Sequence, residues 1–306
     1  MTTRVTQGML NNQLLRNINT NLTRINNHQN QLSTGRQINK ASDDPVGITF
    51  SLRYRSELSA NDQYETNVDA AVSWLEYTDT MLAQSGEVLQ RARELTVKAA
   101  TGTNPQQALN AIKSEIDQLR AQLVNIGNSE FNGKYVFNGQ LTDKAPYEEA
   151  TAAGATVDHG EIKFEIGVGV RIAANMPGNK VFGEPYDPND PVKQNNDNLF
   201  RVLDDLSKSL EDGSIPGIEN ALGRLDTRMD VFLEARADVG AKLNRIELAQ
   251  ARIQDINTNL QTLQSKTEDA DIAEVITNLK TDENVYQASL SVGSKIISTS
   301  LVDFLR

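Results

Sequence analysis

Leu15-Arg-Asn-Ile18-Asn-Thr-Asn-Leu22-Thr-Arg-Ile25-Asn-Asn-His-Gln-Asn-Gln-Leu32 sets an apolar residue at alternating three- and four-residue steps, with Gln29 in the one polar slot. That spacing keeps a stripe on one side of a helix and is the seam of a coiled coil. At the far end of the chain Ile272, Ile276, Leu279, Tyr286, Leu290, Ile297 and Phe304 continue a similar stripe. The two ends also differ in charge. Residues 1–40 hold no acid but five cations, Arg4, Arg16, Arg24, Arg36 and Lys40, whereas residues 267–306 carry seven acids against Lys280, Lys295 and Arg306. A basic and an acidic helix at opposite termini are expected to meet, and the residues of these two stripes are the expected assembly interface.

The first helix is expected over residues 5–33, stopped at Thr34-Gly35, where glycine takes the left-handed cap. Nine asparagines in the first 40 residues lower its intrinsic helicity, because their side chains compete for backbone hydrogen bonds. Each buried aliphatic side chain contributes roughly 1.5–3 kcal/mol against about 1.5 kcal/mol of ordering cost per residue, so an Asn-rich pair of helices gains little alone. The expectation is that the ends order on neighbouring chains.

Between the ends, Ser42-Asp43-Asp44-Pro45 reads as a helix start, with acids near the positive end of the dipole and Pro at the first helical position. Val68, Ala71, Leu75, Leu82, Leu89 and Ala92 then keep helical spacing to about Ala100, breaking at Gly102 and Pro105. Leu109, Ile112, Ile116, Leu119, Leu123 and Ile126 form a second stripe, which makes an antiparallel helical hairpin. After Asn132-Gly133 the character changes. Ile162, Phe164, Ile166, Val168, Val170 and Ile172 alternate as one strand does, and Pro185, Pro188 and Pro191 mark the way back. Helical spacing resumes at Asn198 and runs from Ile218 through Leu263, and the stripe jumps register across residues 268–271, which reads as a joint between domains. The expected fold is mainly α, with long coiled-coil-like helices from both ends and a small β-rich domain inserted in the middle. The expected domains are 1–40 with 268–306, a helical bundle of 41–137 with 191–267, and the β insert 138–190.

Composition excludes several functions. A net charge of −11 disfavours nucleic-acid binding, and the absence of cysteine excludes disulfides and thiolate metal sites. No run reaches the roughly 20 apolar residues of a membrane span, and the N-terminus lacks the apolar core of a cleaved signal peptide. Asp43 and Asp44 are explained by capping. Asp187-Pro188-Asn189-Asp190 lacks the central Gly and closing Glu of a calcium loop. His159 falls in a turn, His28 on the polar side of the first stripe, and Trp74 beside Leu75 reads as core. With no phosphate loop, serine elbow or metal spacing, no catalytic, metal or cofactor residue is expected.

Leu32-Ser-Thr-Gly-Arg-Gln-Ile-Asn-Lys-Ala-Ser-Asp-Asp-Pro45 resembles the N-terminal signature of the flagellin superfamily of axial flagellar proteins. Val239-Gly-Ala-Lys-Leu-Asn-Arg-Ile246 and Glu268-Asp-Ala-Asp-Ile-Ala-Glu274 resemble its C-terminal one. Asn67-Val-Asp-Ala-Ala-Val-Ser-Trp-Leu75, Gly133-Lys-Tyr-Val-Phe-Asn-Gly139 and residues 285–305 are similar to the hook–filament junction members. The resemblance spans about residues 1–145 and 200–306. It implies a homo-oligomeric ring between hook-associated protein 1 and the flagellin filament, with no enzymatic activity. It also implies export of the unfolded ends through the flagellar type III channel and a cytoplasmic chaperone on the C-terminal segment. A flagellin filament subunit is the alternative within the superfamily. A secreted translocator would need a long apolar helical hairpin, which is absent, and a cytoplasmic coiled-coil scaffold is the remaining alternative.

Overall fold

The helix start at Pro45 is built as its residues suggest: Asp44 Oδ1 accepts the Val46 N–H at 3.0 Å, and Asp43 Oδ2 turns back to accept those of Asn39 and Lys40 at 3.0 and 2.8 Å. Both carboxylates are occupied with backbone donors. The computed structural model describes residues 7–102, 104–189 and 197–304, with side chains described among residues 8–295. Within these, α1 spans Gln7–Thr34, α2 Pro45–Ala100, α3 Gln106–Gly127, α4 Gly178–Phe182, α5 Leu199–Glu211, α6 Ile215–Glu268 and α7 Ile272–Phe304. The architecture is mainly α. Gly35, at φ 68°, stops α1 where the sequence places the stop.

Four short strands form two antiparallel hairpins. Asn132-Gly133, at φ 51° and 72°, joins β1 (Glu130–Phe131) to β2 (Lys134–Tyr135). β3 (Lys163–Gly167) pairs with β4 (Val170–Ala173), Phe164 opposite Ile172. The alternating run expected as one strand is therefore two, folded back at Val168-Gly169. Gly169 at φ 72° supplies the left-handed turn position, and the alternation of Val168 and Val170 continued across that turn by coincidence of spacing.

The contacts divide the chain into two units, one of residues 1–60 with 256–306 and the other of residues 61–255. The second unit has an aliphatic and aromatic core. Leu75, Leu82 and Leu89 of α2, Ile116 and Leu123 of α3, and Leu199, Leu203 and Leu206 of α5 are all buried there. Residues 138–190 lie in this unit, and their rings join its core. Tyr147 meets Phe182 at 5.3 Å and Phe200 at 4.9 Å between centroids, while Phe137 meets Phe182 edge-on at 5.5 Å. Trp74 is core, edge-on to Phe131. Arg228 of α6, buried, donates to the carbonyls of Val181 at 2.9 Å and Lys180 at 3.0 Å and pairs with Asp197 at 3.0 Å. One arginine thus satisfies two carbonyls of α4 and the Asp197 carboxylate.

In the first unit the break between α6 and α7 is a clasp, not a joint between compact units, which part instead within α2 and α6. The Gln37 N–H donates to the Glu268 carbonyl at 2.6 Å and the Ala270 N–H to the Gly35 carbonyl at 3.0 Å, so the base of α1 is stitched to the base of α7. The Glu268 side chain, 2% exposed, accepts two hydrogen bonds from Arg55 at 2.9 and 2.6 Å and one from the Ser51 hydroxyl, with Arg36 at 3.5 Å. Burial pushes this carboxyl up, but the hydrogen bonds from Arg55 and Ser51 outweigh it and hold the group below the ordinary glutamate range.

Two outcomes are expected. Arg228→Met lowers the unfolding free energy of the second unit by about 3 kcal/mol, read in urea titration, because buried carbonyls lose their donor. Glu268→Gln lowers hydrogen-exchange protection of residues 264–275 at pH 7 by about 2 kcal/mol. A depressed acid contributes stability above its unfolded-state value and loses it as pH falls through its folded-state value. Protection at the clasp in the unsubstituted chain therefore declines below about pH 4.5, and Glu268→Gln removes that decline.

Candidate assembly face

α1 and α7 pack antiparallel in one chain. Leu14 sits against Gly293 at one end, Arg24 and His28 meet Asp282 in the middle, and Gly35 bonds Ala270 at the base. The expectation that these helices pair only between neighbours is thus corrected, since the clasp at Glu268 already brings their bases together. The opposite charges do meet, with Arg24 Nη2 2.8 Å from Asp282 Oδ1.

The seam they share is shifted by one column from the expected one. On α1 the seam positions are Leu14, Ile18, Asn21, Ile25, His28 and Leu32; on α7 they are Val275, Leu279, Asp282, Tyr286, Ser289 and Gly293, with Gln31 and Glu283 half-buried at their edges. Both sets follow strict four- and three-residue steps. Of the sequence-derived residues, Ile18, Ile25, Leu32, Leu279 and Tyr286 lie in this seam. Leu15, Leu22, Ile272, Ile276 and Leu290 do not; all are exposed, Leu15 by 57% and Leu290 by 46%. Ile297 and Phe304 fall on α7 beyond the described side chains.

The cause of the shift is visible in the residue types. Each helix has one column in the seam by either reading (Ile18, Ile25, Leu32 and Leu279, Tyr286), flanked by a polar-bearing column and an apolar one. Counting apolar residues selects Leu15/Leu22 and Ile276/Leu290 as the second column. The structure instead turns in Asn21/His28 and Asp282/Ser289. His28 is therefore a seam residue, half-buried, its ring 3.1 Å from Gln31 Oε1 and 3.4 Å from Asp282 Oδ2. Val285 and Val292, which sequence reading passed over, form a further exposed column on the other flank of α7.

His159 is exposed, and Asp187 Oδ1 accepts the Asn189 N–H at 2.9 Å as a turn cap, while Asp190 lies outside the described residues. Among the described residues no group of three or more His, Cys, Asp or Glu side chains could hold a metal ion, and no helix is long and apolar enough to cross a membrane.

What this arrangement offers is two long helices with apolar columns left on the outside of an already formed pair. Known proteins resemble this chain. The N-terminal helical region of bacterial flagellin matches residues 5–142, and the flagellin C-terminal helical region matches residues 222–305. The flagellar filament 33 kDa core protein of Treponema phagedenis is 26% identical over 90% of this chain and 88% of its own. Flagellar hook-associated protein 3 of Salmonella typhimurium is 25% identical over 90% of this chain and 91% of its own. A putative flagellar hook-associated protein from Vibrio parahaemolyticus, 21% identical, has the same fold, with a TM-score of 0.65 over 74% of this chain and all of that one. With matching helical regions at both ends, in order, over more than two thirds of its length, the chain belongs to the bacterial flagellin family and is a structural component of the flagellum.

Proposed function

We propose that this protein is a hook–filament junction subunit, assembling as a homo-oligomeric ring outside the cell between hook-associated protein 1 and the flagellin filament. The observation that carries the assembly reading is the pair of apolar columns, Leu15/Leu22 on α1 and Ile276/Leu290 on α7, standing exposed beside a seam that is itself partly polar. Burying such side chains contributes roughly 1.5–3 kcal/mol each, so their natural complement is the same columns of neighbouring copies. The junction assignment is supported by likeness to hook-associated protein 3 over nine-tenths of the chain. The small insert and the Gly133–Gly139 motif, similar to that branch, support it too. Filament subunits such as the Treponema core protein are similar over the same span, so a filament subunit is the competing reading. The role is structural, without catalysis. The chain leaves the cell through the flagellar type III channel, its C-terminal segment held beforehand by a chaperone.

The clasp gives export a physical form. Its hydrogen bonds join residues near both ends, so a threaded chain has neither clasp nor seam, and both form only once the second end has emerged.

Two experiments test the proposal. Leu22→Asp and Leu290→Asp each reduce ring assembly at least about ten-fold in cells, as counted by electron microscopy, while shifting monomer stability by no more than about 0.5 kcal/mol. Normal assembly in both variants removes the columns from the interface. Separately, the chain has no cysteine, and Val168 at the tip of the β3–β4 hairpin is 89% exposed, so Val168→Cys gives a single labelling site. Maleimide dye on living cells is expected as one spot at the base of each filament. Label along the filament identifies a filament subunit instead.

A further inference from the structure

A buried acid in a helical seam needs a reason. Asp282 is 1% exposed, and Arg24 satisfies only its Oδ1. Oδ2 has no hydrogen-bond partner and lies 3.4 Å from His28 Nε2. Register is one established use for such a group. Here register is already set by the clasp, only a few residues from the start of α7, so that use is taken.

The donors and acceptors around the ring limit what His28 can be. Gln31 Nε2 donates to the Gln37 carbonyl at 3.3 Å, which fixes its amide orientation and leaves Oε1, an acceptor, 3.1 Å from His28 Nδ1. On the other side of the ring stands Asp282 Oδ2, also an acceptor. A neutral imidazole has one N–H and one lone pair, so either tautomer sets a lone pair against an acceptor. Flipping the Gln31 amide moves the conflict to the Gln37 carbonyl. Only the imidazolium donates on both sides.

We infer that the α1–α7 seam is proton-linked: it closes when His28 is an imidazolium bridging Gln31 and Asp282, and loosens when the ring is neutral. Among the described side chains, the charged groups facing His28 are Asp282 of α7 and, sharing that carboxylate, Arg24 of α1. Lys280 and Glu283, which flank Asp282 in sequence, pair with each other at 2.8 Å. Protonation turns an acceptor–acceptor contact into a charge-assisted hydrogen bond, the stronger kind. Histidine changes charge between about pH 5 and 8, where carboxylates do not, so the response separates from that of Glu268. Because the contact lies within one chain, the inference stands whether or not the outer columns assemble as proposed.

The test is hydrogen exchange of the full chain as a dilute monomer at pH 6 and pH 8, corrected for intrinsic exchange rates, with peptides from residues 61–255 as internal reference. Protection of residues 18–32 and 275–289 is expected to be about ten-fold higher at pH 6, the effect of one charged hydrogen bond. His28→Gln and the isosteric Asp282→Asn are each expected to abolish that difference, while His159→Asn keeps it. No pH difference in the unsubstituted chain overturns the inference. So does a difference that survives both His28→Gln and Asp282→Asn, or one that disappears with His159→Asn.

Discussion

Everything in the terminal unit depends on how Glu268 is held. Its backbone carbonyl takes the Gln37 N–H, its carboxylate gathers Arg55, Ser51 and Arg36, and one hydrogen bond further on Gly35 accepts from Ala270. These contacts join three helical segments at one point. They also fix the distance along α1 and α7 at which every later pair must meet. Once Gly35 is opposite Ala270, antiparallel helices rising 1.5 Å per residue place residue 24 near 282 and residue 14 near 293 with no further choice. Charge brings the partners together, but the clasp sets the register. Buried ion pairs of this kind contribute little net stability when compared with apolar packing, yet removing one partner is costly. Glu268 therefore acts more as a constraint on geometry than as a source of stability.

Much of the fold was legible because its signals are local. Gly35, Asp44-Pro45, Gly102 and Asn198 stop or start helices by their own backbone chemistry, and the boundaries they imply agree with those observed. Two readings failed where the signal was not local. The Ile162–Ile172 alternation looked like one strand because period-two spacing continued across a turn, and only Gly169 inside it hinted at the fold-back. The terminal seam was displaced by one column because apolar counting assumes that the most apolar pair of columns faces inward. That assumption holds for an isolated two-helix seam and not for a helix with several faces to satisfy. His28 on α1 and Asp282 on α7, one to each helix near the middle of the charged ends, were the available clue to the true column.

The displaced seam has a physical consequence for the unit as a whole. A pair that buried Leu15, Leu22, Ile276 and Leu290 against each other would be more stable alone and would leave polar columns outside. The observed pair does the reverse. Asn21, His28, Asp282, Ser289 and Gly293 weaken the internal seam, and the apolar columns remain available. On the assembly proposed above, stability withheld from the single chain is reserved for contacts with others, and the Asn-rich composition of α1 acts in the same direction by lowering its intrinsic helicity.

The second unit follows the opposite logic. Its Leu and Ile stripes face one another, its Phe137, Tyr147, Phe182 and Phe200 rings pack between centroids 4.9 to 5.5 Å apart, and its buried arginine is satisfied by two carbonyls and Asp197. Such a core is consistent within itself. The contrast lies in sequence as much as in structure: helices of similar heptad spacing differ in which columns are polar. Periodicity alone therefore identifies helices in both units, but the placement of a few polar residues decides which columns a chain turns inward and which it leaves exposed.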